Sequence, residues 1–288
     1  MSLPEGQLQP LLRSYAAAVS RSRRQMLGSA VILLILIILA AWMSEVRLDT
    51  LYNKIGGFTS YFDRISKLDS GARVWTDPVE WFWGLKRWSR LLFETLLISY
   101  IGTLIGAIGA FFLCFLSAAN LNKNMVSRFF VKRFLEFFRT VPEIVFALIF
   151  VVAFGVGPLA GILAILIHTV GSLGKQFSEV VENIDMKPVE GLRASGGSMV
   201  QVVRFAVVPQ VITNFLSYGL LRFEINVRGA TVMGFVGAGG IGDEFLSAIR
   251  KFYYSDISAI LVLIAFTVFI IDMLTTNLRR RLGAGRVA

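Results

Sequence analysis

Charged side chains separate two long apolar runs in the segment from Lys187 to Gln210, which reads KPVEGLRASGGSMVQVVRFAVVPQ. Each charge would cost about 2.5–3.5 kcal/mol at the centre of a bilayer, so this segment must be a loop on one side of a membrane. Pro188 suits the first turn of a helix, Gly196 and the glycine after it break that helix, and Ser198 can cap a second one. The pattern predicts two short helices joined by a glycine turn, with an exposed apolar face suited to docking on a partner.

Apolar side chains recur along both predicted helices of this loop. Val189 and Leu192 lie three residues apart, so they share one face of the first helix. The second helix is expected to carry an apolar stripe at Val200, Val203 and Val207. Pro209 is expected to mark the bend into the next apolar run.

Four polar side chains lie in the middle of the apolar run that follows the loop: Arg222, Glu224, Asn226 and Arg228. The cost of burying such groups means that they should face protein or water rather than lipid. Glu224 and Arg228 are four residues apart and can pair on one helix face, while Arg222 and Asn226 form a second pair of neighbours. Guanidinium groups also match phosphonate or phosphate oxyanions, but pairing that holds helix faces together is favoured over contact with a substrate.

Glycines follow at Gly237, Gly239, Gly240 and Gly242, in a spacing that formally fits a dinucleotide-binding loop. Such a loop needs a strand before it, and this one lies between apolar runs, so the nucleotide interpretation is rejected. Glycines at this density let backbone segments pack closely or bend sharply. Cys114 and His168 are the single cysteine and the single histidine, no catalytic or metal-binding motif occurs, and His168 is expected to be a packed, hydrogen-bonded group.

The composition indicates a protein that crosses a membrane several times. Of its 288 residues, 55% are hydrophobic and 17% are charged, with a mean hydropathy of +0.67. The net charge of +10 comes from short basic clusters between apolar runs. This is the arrangement of positive charge on the inner side of a membrane, and it argues against nucleic acid as a partner.

The apolar runs predict an all-α polytopic protein with six transmembrane helices and both termini in the cytoplasm. The expected spans are 26–44, 91–116, 143–154, 159–176, 209–235 and 257–271. The expected regions are a cytoplasmic tail over 1–25, a periplasmic segment with an interfacial helix over 45–87, a core over 88–280 with the loop at 185–208, and a cytoplasmic tail over 281–288. A cleaved signal peptide is rejected because the first run is long and no clear cleavage site follows it.

The loop resembles the coupling loop of permease subunits in ATP-binding cassette (ABC) importers. That family shows Glu-Ala-Ala, then Gly six residues after the Glu, and Pro thirteen residues further on. Glu190, Gly196 and Pro209 match this spacing, whereas Gly191 and Leu192 replace the two alanines. The resemblance implies that Glu190, Gly191, Arg193, Gly196 and Pro209 belong to the segment that docks on an ATPase.

Further segments resemble permeases of phosphonate importers, over about residues 90 to 280: 145–158, 167–169, 188–191, 222–228 and 237–242. The resemblance implies a MetI-like, type I permease fold in a bacterial inner membrane. It also implies a homodimer, two ATPase subunits, and a periplasmic or lipid-anchored binding protein. ATP and Mg²⁺ would bind to the ATPase subunits, so no cofactor is expected in this chain. The glycines at 237–242 would form an outer gate.

Three alternatives stay open beside import of phosphonate, phosphate or phosphite. An importer of another small solute, such as methionine, would use a similar permease. A proton-coupled transporter would use membrane carboxylates, here Glu224 and Asp272, but it gives no reason for the spacing from Glu190 to Pro209. A membrane enzyme would need a catalytic cluster that the sequence lacks.

Overall fold

The structure is a computed structural model that describes residues 5–44 and 48–284. It divides into two compact units, Met1–Phe62 and Asp63–Ala288. The first unit contains helix α1 (Glu5–Met43) and most of helix α2 (Leu48–Ile65). The predicted N-terminal tail is therefore helical from Glu5 on and continuous with the first span, because its alanines and arginines are good helix formers.

The second unit consists of helices and short connections. Their bounds are α3 (Pro78–Trp81), α4 (Leu85–Ser117), α5 (Met125–Thr140), α6 (Glu143–Phe154), α7 (Pro158–Glu182), α8 (Lys187–Ala194), α9 (Met199–Gln201), a π-helical turn (Val202–Val207), α10 (Val208–Met233), a 3₁₀ turn (Gly234–Val236), α11 (Ile241–Arg250) and α12 (Tyr254–Ala284). Within the predicted periplasmic segment 45–87, the helix that follows Asp77 is the four-residue α3, which the Asp77 side chain caps. Helix α12 continues into the predicted C-terminal tail, of which residues 285–288 lie outside the described residues.

Five helices in the described residues are long and apolar enough to cross a membrane: α1, α4, α7, α12 and the continuous helix from Met199 to Val236. The pair α5 and α6, which meet at an angle of 87°, is the sixth when it is counted as one broken span. Helix α6 alone has 12 residues and a length of about 18 Å, too short for a hydrocarbon layer of about 30 Å. The predicted span over 143–154 is thus one half of a broken crossing.

Two glycines of α7 bring α5 against it. A Cβ atom on Gly171 would lie 2.6 Å from the backbone nitrogen of Arg139, and one on Gly174 would lie 2.5 Å from Leu135 Cδ2. Helix α5 lies between the predicted spans 91–116 and 143–154, and with Leu135 fully buried it packs along the bundle instead of forming a free connection. Bare backbone at these two positions allows the close approach.

Helices α4 and α7 also cross closely, as the glycine spacing in α4 indicates. A Cβ atom on Gly102 would lie 2.7 Å from Ile165 Cγ2, and one on Gly106 would lie 2.7 Å from Thr169 Cβ. The bundle has two ends. We call the end that carries α8 the loop side, and the end that carries Gly237–Gly242 the glycine side.

Candidate functional site

The loop-side segment folds as two helices around a glycine turn, as predicted. Helix α8 has Pro188 in its first turn, and Gly196 adopts a φ of +82°, which favours glycine. Ser198 caps the second helix through a capping box with Gln201. The Gln210 side chain accepts from the Asp185 backbone nitrogen at 3.0 Å and so clamps the entrance of the segment to the start of α10.

Helix α8 is anchored by its apolar face. Val189 is fully buried, in a core with side chains of α4, α7, the π turn and α10, and Leu192 packs against this core. Glu190, Gly191 and Ala194 are exposed, and Arg193 is half-buried. A displacement of α8 is therefore transmitted directly to α4, α7 and α10, because closely packed protein interiors have low compressibility.

The second helix keeps its predicted apolar stripe at Val203 and Val207 but not at Val200. Val200 is 76% exposed, whereas Val202, Ala206 and Val207 are buried. The π turn changes the register, since the Val208 nitrogen bonds to the Val203 carbonyl five residues back. Pro209 lacks the N–H of a regular helical turn, which accounts for the wide turn before it. The helix continues through Pro209 without a break.

Glu224 of α10 is 6% exposed and joins α10 to α12. It pairs with Arg228 on its own helix, as predicted. Its other oxygen lies 3.5 Å from Arg279 Nη2 and accepts from Thr275 Oγ1 at 3.4 Å. The two α12 partners lie far along the chain, so spacing within α10 gave no signal for them.

Asn226 and Arg222, which were expected to be neighbours on α10, form hydrogen bonds with different partners. Asn226 is fully buried and donates to Thr103 Oγ1 of α4 at 2.7 Å and to Thr169 Oγ1 of α7 at 2.9 Å. It therefore ties α10 to the crossing of α4 and α7. An amide with such partners holds helices together in an apolar interior.

Arg222 belongs to a cluster with Glu143 of α6 and His168 of α7. Arg222 Nη2 bonds to His168 Nδ1, and His168 Nε2 lies 3.3 Å from the Arg139 carbonyl oxygen. Glu143 Oε2 lies 3.5 Å from His168 Nδ1 and 3.7 Å from Arg222 Nη2. The prediction that His168 is packed and hydrogen-bonded is confirmed. Glu143 was not among the predicted site residues, and its position directly after Pro142 was the available signal.

The glycines at 237–242 pack backbone against backbone on the glycine side. Gly237, Gly239 and Gly240 have φ values of +83°, +84° and +80°. The Gly237 carbonyl accepts from the Gly157 nitrogen at 2.8 Å. A Cβ atom on Gly242 would lie 1.9 Å from the Thr231 carbonyl oxygen. The glycine segment comes after α10 and a 3₁₀ turn, not after a strand. This agrees with the rejection of a dinucleotide-binding loop, which needs a strand before it.

The same glycine segment is tied to the start of α4. Thr95 Oγ1 accepts from the Ile241 nitrogen at 2.9 Å, and Glu94 Oε1 accepts from the Gly240 nitrogen at 3.3 Å. Arg87 also pairs with Glu244 of α11 at 2.7 Å. Any movement of this segment must therefore break contacts to α4.

A polar cavity of about 560 Å³ lies between the loop-side halves of α7 and α10, next to the loop-side segment. Its polar lining comprises Gln176, Glu179, Asn183, Asp185, Gln210, Asn214 and Tyr218. Within residues 5–44 and 48–284, no three His, Cys, Asp or Glu side chains are grouped to hold a metal ion.

Residues 102–285 match the family described as "Binding-protein-dependent transport system inner membrane component". The chain is 34% identical over 280 residues to the phosphite transport system permease protein PtxC of Stutzerimonas stutzeri, covering 97% of this chain and 96% of that protein. It is 36% identical over 190 residues to the phosphate-import permease protein PhnE of Mycolicibacterium smegmatis, covering 66% of this chain and 36% of that one.

A solved structure shares the fold. An inward-facing conformation of the MetNI methionine ABC transporter matches with a TM-score of 0.61 at 19% identity, covering 72% of this chain and 98% of that one. The predicted helical, MetI-like architecture is thus confirmed. The chain belongs to the family of binding-protein-dependent transport system inner membrane components, and it is a transport permease of the ABC importer type.

Proposed function

We propose that this chain forms, as a homodimer, the pathway by which an ABC importer carries a phosphorus oxyanion across the bacterial inner membrane. The solute class is phosphonate, phosphate or phosphite. Similarity along nearly the whole chain to a phosphite permease and over a shorter stretch to a phosphate permease supports this class. The loop side then faces the cytoplasm, together with both termini, and a binding protein delivers the solute on the glycine side.

The observation that carries the proposal is the construction of α8. Its outer face presents Glu190 and Ala194, while Val189 is fully buried among side chains of α4, α7 and α10. Two ATPase subunits dock on this face in the two copies, and Glu190 meets a basic ATPase residue. ATP-driven closure of the ATPases then moves the helices as packed bodies and alternates the side to which the pathway opens.

Uptake of radiolabelled phosphite, phosphate and methylphosphonate tests this function in cells that produce the chain with its ATPase and binding protein. We expect uptake that is lost when the ATPase cannot hydrolyse ATP and that persists in the presence of a protonophore. Uptake that survives loss of ATP hydrolysis but stops with the protonophore would instead favour a proton-coupled transporter. Uptake of methionine alone would assign the other importer class.

A further inference from the structure

Glu143, His168 and Arg222 meet at one depth in the bundle, measured from the glycine-side ends of their helices. At about 1.5 Å per residue, His168 lies about 15 Å from Pro158, and Glu143 and Arg222 each lie about 17 Å from the ends of α6 and α10. The hydrogen bond between Gly157 and Gly237 holds these ends together. Half of a hydrocarbon layer of about 30 Å places the cluster near the middle of the membrane.

The hydrogen bonds of His168 position the guanidinium group of Arg222. With Nε2–H donating to the Arg139 carbonyl, the Nδ1 atom accepts from Arg222 Nη2. The imidazole is therefore fixed at one end to the last turn of α5 and at the other end to Arg222. This places a permanent positive charge at the break between α5 and α6.

Not every polar atom of this cluster has a hydrogen-bond partner within it. Glu143 Oε2 and Arg222 Nε are buried and have no hydrogen-bond partner in the described chain. The Glu143 oxygen faces Arg222 Nη2 at 3.7 Å, a distance for charge attraction and not for a hydrogen bond. Buried polar groups without partners cost about 1–3 kcal/mol each, so a better acceptor can replace this carboxylate at the guanidinium.

The Glu143 carboxylate lies between the backbone of α10 and the start of α6. A Cβ atom on Gly229 would lie 2.0 Å from Glu143 Oε1, so the carboxylate rests on bare backbone of α10. Glu143 is also the first residue of α6, where free backbone N–H groups favour negative charge. A broken helix that begins within the membrane is a known way to place such groups beside an anionic solute.

We propose that Arg222, positioned by His168, binds the phosphorus oxyanion of the solute at mid-membrane, and that Glu143 occupies the same place between transport events. This inference rests on the proposed function for its solute class. A guanidinium group matches two oxygens of a phosphoryl group. The returning Glu143 carboxylate limits the affinity, which a transporter requires because it must release its solute.

The purified full-length chain in lipid nanodiscs tests the site without the binding protein. Phosphite binding is measured by radioligand retention and by the thermal unfolding midpoint, with chloride at matched ionic strength as the ion control. We expect Glu143→Gln to bind phosphite about 5- to 150-fold more tightly than the natural chain, the fold-change that corresponds to the cost of a buried polar group without a partner. The double variant Glu143→Gln with Arg222→Gln should lose this gain, and the exposed control Glu80→Gln in α3 should bind as the natural chain does.

A second variant tests the site independently, in case Glu143→Gln fails to fold. Gly229→Ala places a methyl group where the Glu143 carboxylate rests, so it should displace the carboxylate and tighten phosphite binding in the same way. Tightening that persists in the double variant, or that chloride reproduces, overturns the site. Absence of phosphite binding in both Glu143→Gln and Gly229→Ala overturns it as well.

The outcomes separate this site from the proposed function. If cells import phosphite but no variant binds it in an Arg222-dependent way, the site is wrong and the function stands. If Arg222-dependent binding is found but cells import no phosphorus oxyanion, the anion site stands and the proposed function is wrong. Inorganic phosphate and methylphosphonate serve as the second and third probes.

Discussion

Gly171 of α7 lies directly against the backbone of Arg139 in α5, where an added Cβ atom would come within 2.6 Å of the Arg139 nitrogen. This contact holds the first half of the broken crossing inside the bundle. It also places the Arg139 carbonyl oxygen 3.3 Å from His168 Nε2. One glycine therefore supports both the path of the chain and the polar cluster at the break.

Gly171→Ala should destabilise the bundle by about 1–3 kcal/mol, because backbone atoms on both sides cannot move aside easily. Gly28→Ala in α1 is the matched control, since a Cβ atom there meets nothing within 4 Å. We expect the control to be neutral or to gain up to about 1 kcal/mol from helix propensity. Unfolding in detergent measures both, and equal stability of the two variants would contradict the close crossing.

The span count, the glycine-hinged segment with its Ser198 cap, and the Glu224–Arg228 pair could be predicted from the sequence because each rests on local spacing. The broken crossing could not be predicted, because the amphipathic and basic sequence of α5 is typical of a loop outside the membrane. Its location depends on glycines in α7, which are distant in sequence. Val200 was misplaced because the π turn shifts the helical register after that position.

Glu224 and Arg228 should contribute unequally to stability. Removing Glu224 leaves Arg279 without its carboxylate in a largely buried place, and breaking a buried pair costs about 3–5 kcal/mol. Arg228 is 51% exposed, so Arg228→Ala should cost about 0–1 kcal/mol. Comparison of Glu224→Ala with Arg228→Ala by unfolding checks this order, and a larger loss in Arg228→Ala would refute it.

Arg228→Lys tests whether Arg228 contacts the solute. A lysine keeps the positive charge beside Glu224, so we expect normal protein level, normal uptake and an unchanged preference among phosphite, phosphate and methylphosphonate. A changed preference at normal protein level would place Arg228 in contact with the solute.

Thr95 should matter through its hydroxyl group. Thr95→Val keeps the shape but removes the acceptor for the Ile241 nitrogen, which is buried, and a buried donor without a partner costs about 1–3 kcal/mol. We expect Thr95→Val to lower the unfolding midpoint and uptake together, and Thr95→Ser to retain both. A loss in Thr95→Ser without a loss in Thr95→Val would mean that the methyl group, not the hydrogen bond, holds the glycine segment.

Gly196→Trp should uncouple ATP hydrolysis from uptake while the chain remains folded. A bulky residue is strained at a φ of +82° and alters the turn that sets the angle between α8 and the next helix. Gly191→Ala is the control, because its Cβ atom meets nothing within 4 Å. Measured uptake per ATP should fall in Gly196→Trp and stay normal in Gly191→Ala; unchanged coupling in Gly196→Trp would be evidence against the hinge.

The contact between α8 and the ATPase is the most direct test of the account. Cys114 is the only cysteine and is buried, so a Cys114→Ala background allows a photo-crosslinking label at Ala194→Cys on the exposed face of α8. Ser70→Cys, exposed in the connection between α2 and α3, carries the same label as the control. We predict that the ATPase crosslinks at position 194 and not at position 70. A complex in which the ATPase fails to crosslink at 194, or crosslinks at 70, would contradict coupling through α8.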